Sequence, residues 1–183
     1  VFVYLDTMSS RAGITARNEL LELSKVAIVG LGGTGAYILD LLAKTPIRNV
    51  HLYDGDTFST HNAFRAPGAA SVDDLKARMA KVDYYAAIYA SMRRNIHPHA
   101  VYVTAANVSE LADADFVFLA MDSGPDKRAI VNALIAAGVP FIDTGIGVSD
   151  DDNGIAGQVR VTTGLPGATD HVTHGGLISV VAG

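Results

Sequence analysis

Gly30-Leu-Gly32-Gly33-Thr-Gly35 is followed 19 residues later by Asp54. Glycines at this density let the chain turn tightly and bring backbone N–H groups close to a phosphate. A helix starting inside the loop adds about half a positive charge directed at that phosphate. An acid at the end of the next strand stands where it can accept hydrogen bonds from ribose hydroxyls. Loop and acid together imply a nucleotide and leave open whether it is a dinucleotide or ATP. Just beyond, Asp54-Gly-Asp-Thr-Phe-Ser-Thr-His-Asn62-Ala-Phe-Arg65 supplies a second acid (Asp56), an amide and a guanidinium, and Lys81 and Asp122 follow. Hydride transfer needs little cationic chemistry near the pyrophosphate. Attack on the α-phosphate of ATP needs cations on the transferring group and a carboxylate for magnesium. Arg65, Lys81 and Asp122 form a set of the second kind.

These residues need a scaffold, and the hydrophobic pattern outlines one. Residues 14–24 read as a short amphipathic helix leading into a buried strand, Lys25-Val-Ala-Ile-Val-Gly30. Thr34 to Thr45 reads as a helix with Ile38, Leu41 and Leu42 on its core face, ended by Pro46. Val50 to Asp54 is the next strand. This βαβ unit of about 30 residues implies parallel strands. Ser71 and Asp74 form a capping box, and Lys81 to Met92 is a helix with Tyr85, Ile88, Tyr89 and Met92 on one face. Strands are predicted at Val101–Thr104, Phe116–Ala120 and Phe141–Thr144, with a helix carrying Val131, Leu134 and Ile135 before the last. Ser149 to Asn153 reads as an acidic surface loop and Gly157 to Thr162 as an antiparallel edge strand. The fold class that follows is α/β: a Rossmann-like, doubly wound, mainly parallel sheet with helices on both faces. Asp122 falls just past the C-terminal end of a strand, where such sheets bind their ligands.

Composition bounds the rest. The 183 residues read as one domain, 1–183, ending inside an apolar run and opening on Val1, so the sequence reads as a fragment truncated at its C-terminus. A net charge of −5 with 14 Lys plus Arg argues against a nucleic-acid partner. No apolar run reaches the roughly 20 residues of a membrane span. With no cysteine, disulfides, cysteine zinc sites and thiolate nucleophiles are excluded within these residues, which fits the cytoplasm. His97 and His99, His171 and His174, the Tyr84/Tyr85/Tyr89 stripe and Asp150–Asp152 read as connection, loop, core and turn rather than as sites.

In motif order the chain resembles the ThiF/MoeB-like adenylyltransferases, the superfamily that includes ubiquitin-activating enzymes. The shared features are a Gly-x-Gly-Gly-x-Gly loop, an Asp-x-Asp…Asn-x-x-Arg stretch, a helix-opening Lys and an Asp after a later strand, matched here from about Arg11 to Val148. His61, Ala66 and Ser123 depart from the usual Ser, Gln and Asn. The resemblance implies that Gly30, Gly32, Gly33 and Gly35 border the triphosphate, and that Asp54 holds the ribose, with Asp56 matching the motif's second acid. It implies that Asn62, Arg65 and Lys81 contact phosphates and that Asp122 coordinates Mg²⁺. Arg11 resembles an arginine that reaches the γ-phosphate in a partner protomer's site, so a homodimer is expected. The activity implied is adenylation of a carboxylate, the C-terminal glycine of a ubiquitin-like or sulfur-carrier protein, with ATP and Mg²⁺. No thioester is expected on this chain, which has no thiol, unless a further segment supplies one. An NAD(P)-dependent oxidoreductase and a non-catalytic subunit of an activating complex are the alternatives.

Overall fold

A computed structural model describes residues 1–152 and 154–178. Two short helices, α1 (Met8–Arg11) and α2 (Thr15–Asn18), precede β1 (Lys25–Val29) and α3 (Gly33–Leu42). There follow β2 (Asn49–Tyr53), α4 (Thr60–Ala63), α5 (Val72–Ala77), α6 (Lys81–Tyr89), β3 (Ile96–His99) and β4 (Phe116–Leu119). The last described elements are α7 (Pro125–Ala137), β5 (Phe141–Asp151), β6 (Gly154–Gly164) and α8 (Asp170–Thr173). The sheet order is β3-β2-β1-β4-β5-β6, parallel throughout except for antiparallel β6. The expected α/β, doubly wound sheet with an antiparallel edge is therefore present. No helix among the described residues is long and apolar enough to cross a membrane.

The two-residue period of a strand explains the layers. In β1, Val26 and Ile28 point to one face, where they pack with Ala36, Leu39, Val82 and Tyr85 of α3 and α6. Ala27 and Val29 point to the other, against Ile130, Val131 and Leu134 of α7. The short amphipathic helix expected at 14–24 is instead one turn of α2 followed by a 3₁₀ turn, Glu19–Leu21, and both Leu20 and Leu21 are exposed. The core face of α3 includes Ile38 and Leu42 as expected, partly buried against the core, but is centred elsewhere. Ala36, Leu39 and Ala43 are buried and Leu41 is exposed, because small residues let this helix lie close to the sheet. On α6, Tyr85 and Tyr89 are buried as expected, but Ile88 is exposed. The Ser71–Asp74 capping box opens α5 as read from sequence.

The strand expected at Val101–Thr104 is not formed; β3 lies earlier and contains Pro98. A proline is tolerated there because β3 is an edge strand, and the missing N–H faces away from the ladder. At the other edge, most of the expected acidic loop at 149–153 is strand: β5 runs through Ser149 and Asp150 to Asp151, and Asn153 lies outside the described residues. The end of the expected apolar run, 179–183, also lies outside them.

The β2–β3 edge stacks three imidazoles: His51 lies on His97 and His99, and His99 on Tyr53. A His51 Nδ1–His99 Nε2 hydrogen bond of 3.0 Å requires one ring to donate and the other to accept. Burial, with His97 and Lys25 nearby, pushes the His51 pKa down from 6.5 to about 4. Burial lowers His99 as well. An unfolded chain therefore binds a proton near pH 6.5 that folded His51 refuses until about pH 4. Stability from this group is full above the unfolded value and is lost as pH falls through that window. Urea denaturation between pH 4 and 7 is expected to show this slope, and His51→Gln is expected to flatten it.

Candidate functional site

The parallel strands run 3-2-1-4-5, so connections leave β1 and β4 in opposite directions, and the crevice beyond their C-terminal ends is the topological switch point. A cavity of about 1100 Å³ opens there, lined by Gly30, Gly32, Gly33, Asp54, Asp56, Arg65, Lys81 and Asp122 among others. The sequence places these residues up to 92 positions apart, counting from Gly30 to Asp122, and the fold brings them to one wall-to-wall space.

The floor is the glycine loop. Gly30 has φ +90°, and a Cβ there would lie 2.5 Å from the Ala120 carbonyl oxygen at the end of β4. Only glycine meets both conditions. Gly32 caps α3 and Gly33 opens it, and both line the cavity. Gly35 does not line the cavity. It sits inside α3, where a Cβ would come 1.9 Å from the Gly30 carbonyl oxygen, so it sets the approach of helix to strand.

Asp54 is 7% exposed and its carboxylate is already engaged. Oδ2 accepts from the Leu31 N–H at 2.7 Å and Oδ1 from the Asp56 N–H at 2.8 Å. The acid thus ties the glycine loop to the end of β2. Lys81, at the start of α6 and 6% exposed, stands 2.5 Å from Asp56 Oδ2 and 3.5 Å from Asp54 Oδ1. Its backbone N–H donates to the Asp56 carbonyl at 2.9 Å. The Tyr102 hydroxyl donates to Asp56 Oδ1. Hydrogen bonds from Lys81 and then Tyr102 hold the Asp56 carboxyl below the usual carboxylate range. The same bond holds the Tyr102 phenol proton above its usual value. An ammonium has three donors, and one bonds to Asp56 while another lies toward Asp54, so Lys81 keeps donor capacity for a ligand.

Arg65 is exposed on the turn after α4, its Nε donating to the His61 carbonyl at 3.4 Å. Asn62 is not among the cavity residues. It is 3% exposed, and its Oδ1 accepts from both the Ser59 N–H and the Ser59 hydroxyl at 3.0 Å. That capping box fixes the short α4 and hence the turn that presents His61 and Arg65. Arg11 ends α1, exposed and away from the cavity. Asp122 lies on the loop between β4 and α7, exposed at the cavity wall. Among the described residues no cation is within salt-bridge distance of it. A carboxylate left unpaired beside the glycine loop is of the type that could hold a hard cation such as Mg²⁺, which takes one or two carboxylates and completes its shell with other oxygens. No group of three acids or histidines suited to a metal occurs among the described residues.

Several cavity residues were not read from the sequence. Tyr37 and His61 line it, and so do Tyr102, Lys127, Thr144 and Arg160. Lys127 is 1% exposed and pairs at 2.6 Å with Asp143, which is 0% exposed. Arg160 approaches the same carboxylate at 3.7 Å from β6. The available signal was an acid inside an apolar strand, Phe141-Ile-Asp-Thr144, which burial permits only with a cation opposite.

Residues 7–173 match the ThiF family. The chain belongs to the ThiF family. The resemblance carried by the motifs is thereby established over nearly the whole chain. Among ThiF-like relatives, SUMO-activating enzyme subunit uba-2 of Caenorhabditis elegans is 27% identical over 150 residues, which is 79% of this chain and 24% of that subunit. The structure of E. coli tRNA N6-threonylcarbamoyladenosine dehydratase, TcdA, in complex with AMP is similar with TM-score 0.66 at 23% identity, over 78% of this chain and 62% of TcdA. E. coli MccB is similar with TM-score 0.69 at 19% identity, over 90% of this chain and 47% of MccB. This ThiF-family chain therefore spans about a quarter of the uba-2 subunit and about half of MccB. The structural likenesses are of fold.

Proposed function

We propose that this ThiF-family domain binds Mg·ATP and adenylates a carboxylate, giving an acyl-adenylate and pyrophosphate. The observation that carries the reading is the convergence of the glycine loop, Arg65, Lys81 and an unpaired Asp122 on one cavity at the switch point. A nicotinamide enzyme has no use for that cationic set. Related structures support a nucleotide, since TcdA was solved with AMP and also with ATP. They support a peptide or protein donor, since MccB was solved with MccA and uba-2 is a SUMO-activating subunit. The donor proposed is the C-terminal glycine of a ubiquitin-like or sulfur-carrier protein, and the setting the cytoplasm.

The donor carboxylate is ionised at neutral pH and needs no general base. The protein's work is to hold it in line with the α-phosphorus and to stabilise charge that grows there. Arg65 and Lys81 are the cations for that charge. The N–H groups of Gly32 and Gly33 and the α3 N-terminus hold the phosphates, and Asp54 and Asp56 flank the ribose. Asp122 would hold Mg²⁺, which when bound neutralises phosphate charge. Asn62 contributes by fixing the turn that carries Arg65. Arg11, remote from this cavity, fits a role in the site of a second copy, and a homodimer belongs to the proposal.

Mg·ATP is expected to bind at least tenfold more tightly than NAD⁺, about 1.4 kcal/mol. Isothermal titration with both ligands checks it, and an NAD⁺ preference of the same size would replace the reading with the oxidoreductase. ATP–pyrophosphate exchange with candidate ubiquitin-like proteins then tests the reaction. Tight Mg·ATP binding without exchange, from full-length protein and every donor tried, would mark a non-catalytic subunit.

A further inference from the structure

We propose that Lys127, held on Asp143, is a positioning residue that sets the loop carrying Asp122. The inference rests on the proposed Mg·ATP site. Lys127 stands where a lysine is costly on two counts. It is 1% exposed, and it occupies the first turn of α7, where the helix dipole disfavours a cation. Asp143, on the neighbouring strand β5 and fully buried, offsets both at 2.6 Å. An apolar pair of similar volume would commonly hold the core as well or better, so stability alone does not account for the ions.

The remaining contact of the ammonium gives the account. Lys127 Nζ donates to the Met121 carbonyl at 3.2 Å, and Met121 is the residue immediately before Asp122. A backbone group next to Asp122 is thereby fastened through Lys127 to β5, one strand away in the sheet. Apart from that bond and the packing of the Met121 side chain on the core, the backbone hydrogen bonds among the described residues hold the loop from Ala120 to Gly124 at its ends, by the Ala120 N–H on the Val29 carbonyl at 2.8 Å and by the start of α7. Asp122, exposed and unpaired, has no side-chain partner among the described residues to orient it, so the backbone must do so. Arg160, 3.7 Å from Asp143 on the other side, ties the β5–β6 hairpin to the same post.

The test uses Lys127→Met combined with Asp143→Asn, which removes both charges at nearly constant volume. The measurements are ATP affinity by titration calorimetry with and without Mg²⁺, and thermal unfolding. Expected is a cooperative transition, a loss of at least tenfold in affinity with Mg²⁺, and affinity without Mg²⁺ unchanged within twofold. In an Asp122→Ala background the same double change is expected to have no further effect on Mg²⁺-dependent binding, because both act through one group. If the double variant does not fold, Lys127→Gln with Asp143→Asn, which keeps an N–H donor one atom shorter and leaves no buried charge, is measured in its place with the same expectation. Parallel losses with and without Mg²⁺ would make Lys127 a direct phosphate contact and overturn the positioning role, as would an unchanged Mg²⁺ dependence. Wild-type ATP binding that ignores Mg²⁺ is a separate failure, of the Asp122 reading itself, and would remove the ground of this one.

Discussion

Lys81→Met is expected to lower ATP–pyrophosphate exchange by on the order of 10²–10³-fold, the usual loss when one preorganised charge-stabilising donor is removed from a site. The structure adds a second effect. Lys81 lies 2.5 Å from Asp56 and 3.5 Å from Asp54, and Asp54 is nine-tenths buried. Methionine leaves two neighbouring carboxylates without their shared cation, at the place where a polyanion must enter. ATP affinity should fall together with turnover. Acid should partly relieve the defect in stability, because protonating one carboxyl removes the repulsion. The control is Lys81→Met with Asp56→Asn. It should recover stability in urea denaturation and leave exchange low, since the cation is still missing. Recovery of exchange in the double variant would show that Lys81 only balances the acids.

The second large effect concerns Gly35. An added Cβ, fixed by its own backbone, would meet the Gly30 carbonyl oxygen at 1.9 Å, and that oxygen is backbone, so no side chain can rotate away. Relief requires moving α3 off β1. Gly35→Ala is expected to destabilise by about 3 kcal/mol or more, at or above the usual range for overpacking. Gly32→Ala is the instructive contrast. Nothing lies within 4 Å of its hypothetical Cβ, and its φ of −68° is ordinary for alanine. That variant should unfold near the wild-type urea midpoint and bind ATP more weakly, because the new methyl stands at the cavity. Equal midpoints for both variants would mean that the close packing of α3 is not a constraint on the fold.

The contrast also explains what the sequence could disclose. The glycine loop, Asp54, Lys81 and Asp122 were legible as residues of one cavity because the first two and Asp122 follow strand ends and Lys81 opens a helix, and such element ends are marked by strong local patterns. The strand Ile96–His99 was hidden by Pro98, whose place is acceptable only because the strand turns out to be an edge. Edge or centre is a property of the whole sheet. The buried face of α3 was read only in part for a related reason: Ile38 and Leu42 do pack against the core, but its fully buried centre is Ala36, Leu39 and Ala43, and Leu41 is exposed. Asn62 was legible as a position in a motif. Its side chain, however, closes a cap with Ser59, and that depends on a four-residue helix too short to leave a periodic signal. Lys127 and Asp143 are 16 positions apart and meet only through strand β5 lying beside β4, so neither residue's neighbours betray the pair.

The cavity sits on the β1–β4 seam, and that seam has a kinetic meaning. β5 and β6 pair as a hairpin whose partners are neighbours along the chain, Asp151 opposite Gly154, and contacts of that kind form within microseconds. β1 and β4 join residues 90 positions apart, Val26 to Phe116, and closing so long a loop is a late and entropically expensive event. Until it closes, Gly30 has no Ala120 against it and Asp122 has no glycine loop to face. On the proposed function, a nucleotide would therefore recognise only a chain in which this seam has closed. Bound there, it would lengthen the lifetime of the native state and leave the speed of reaching that state unchanged.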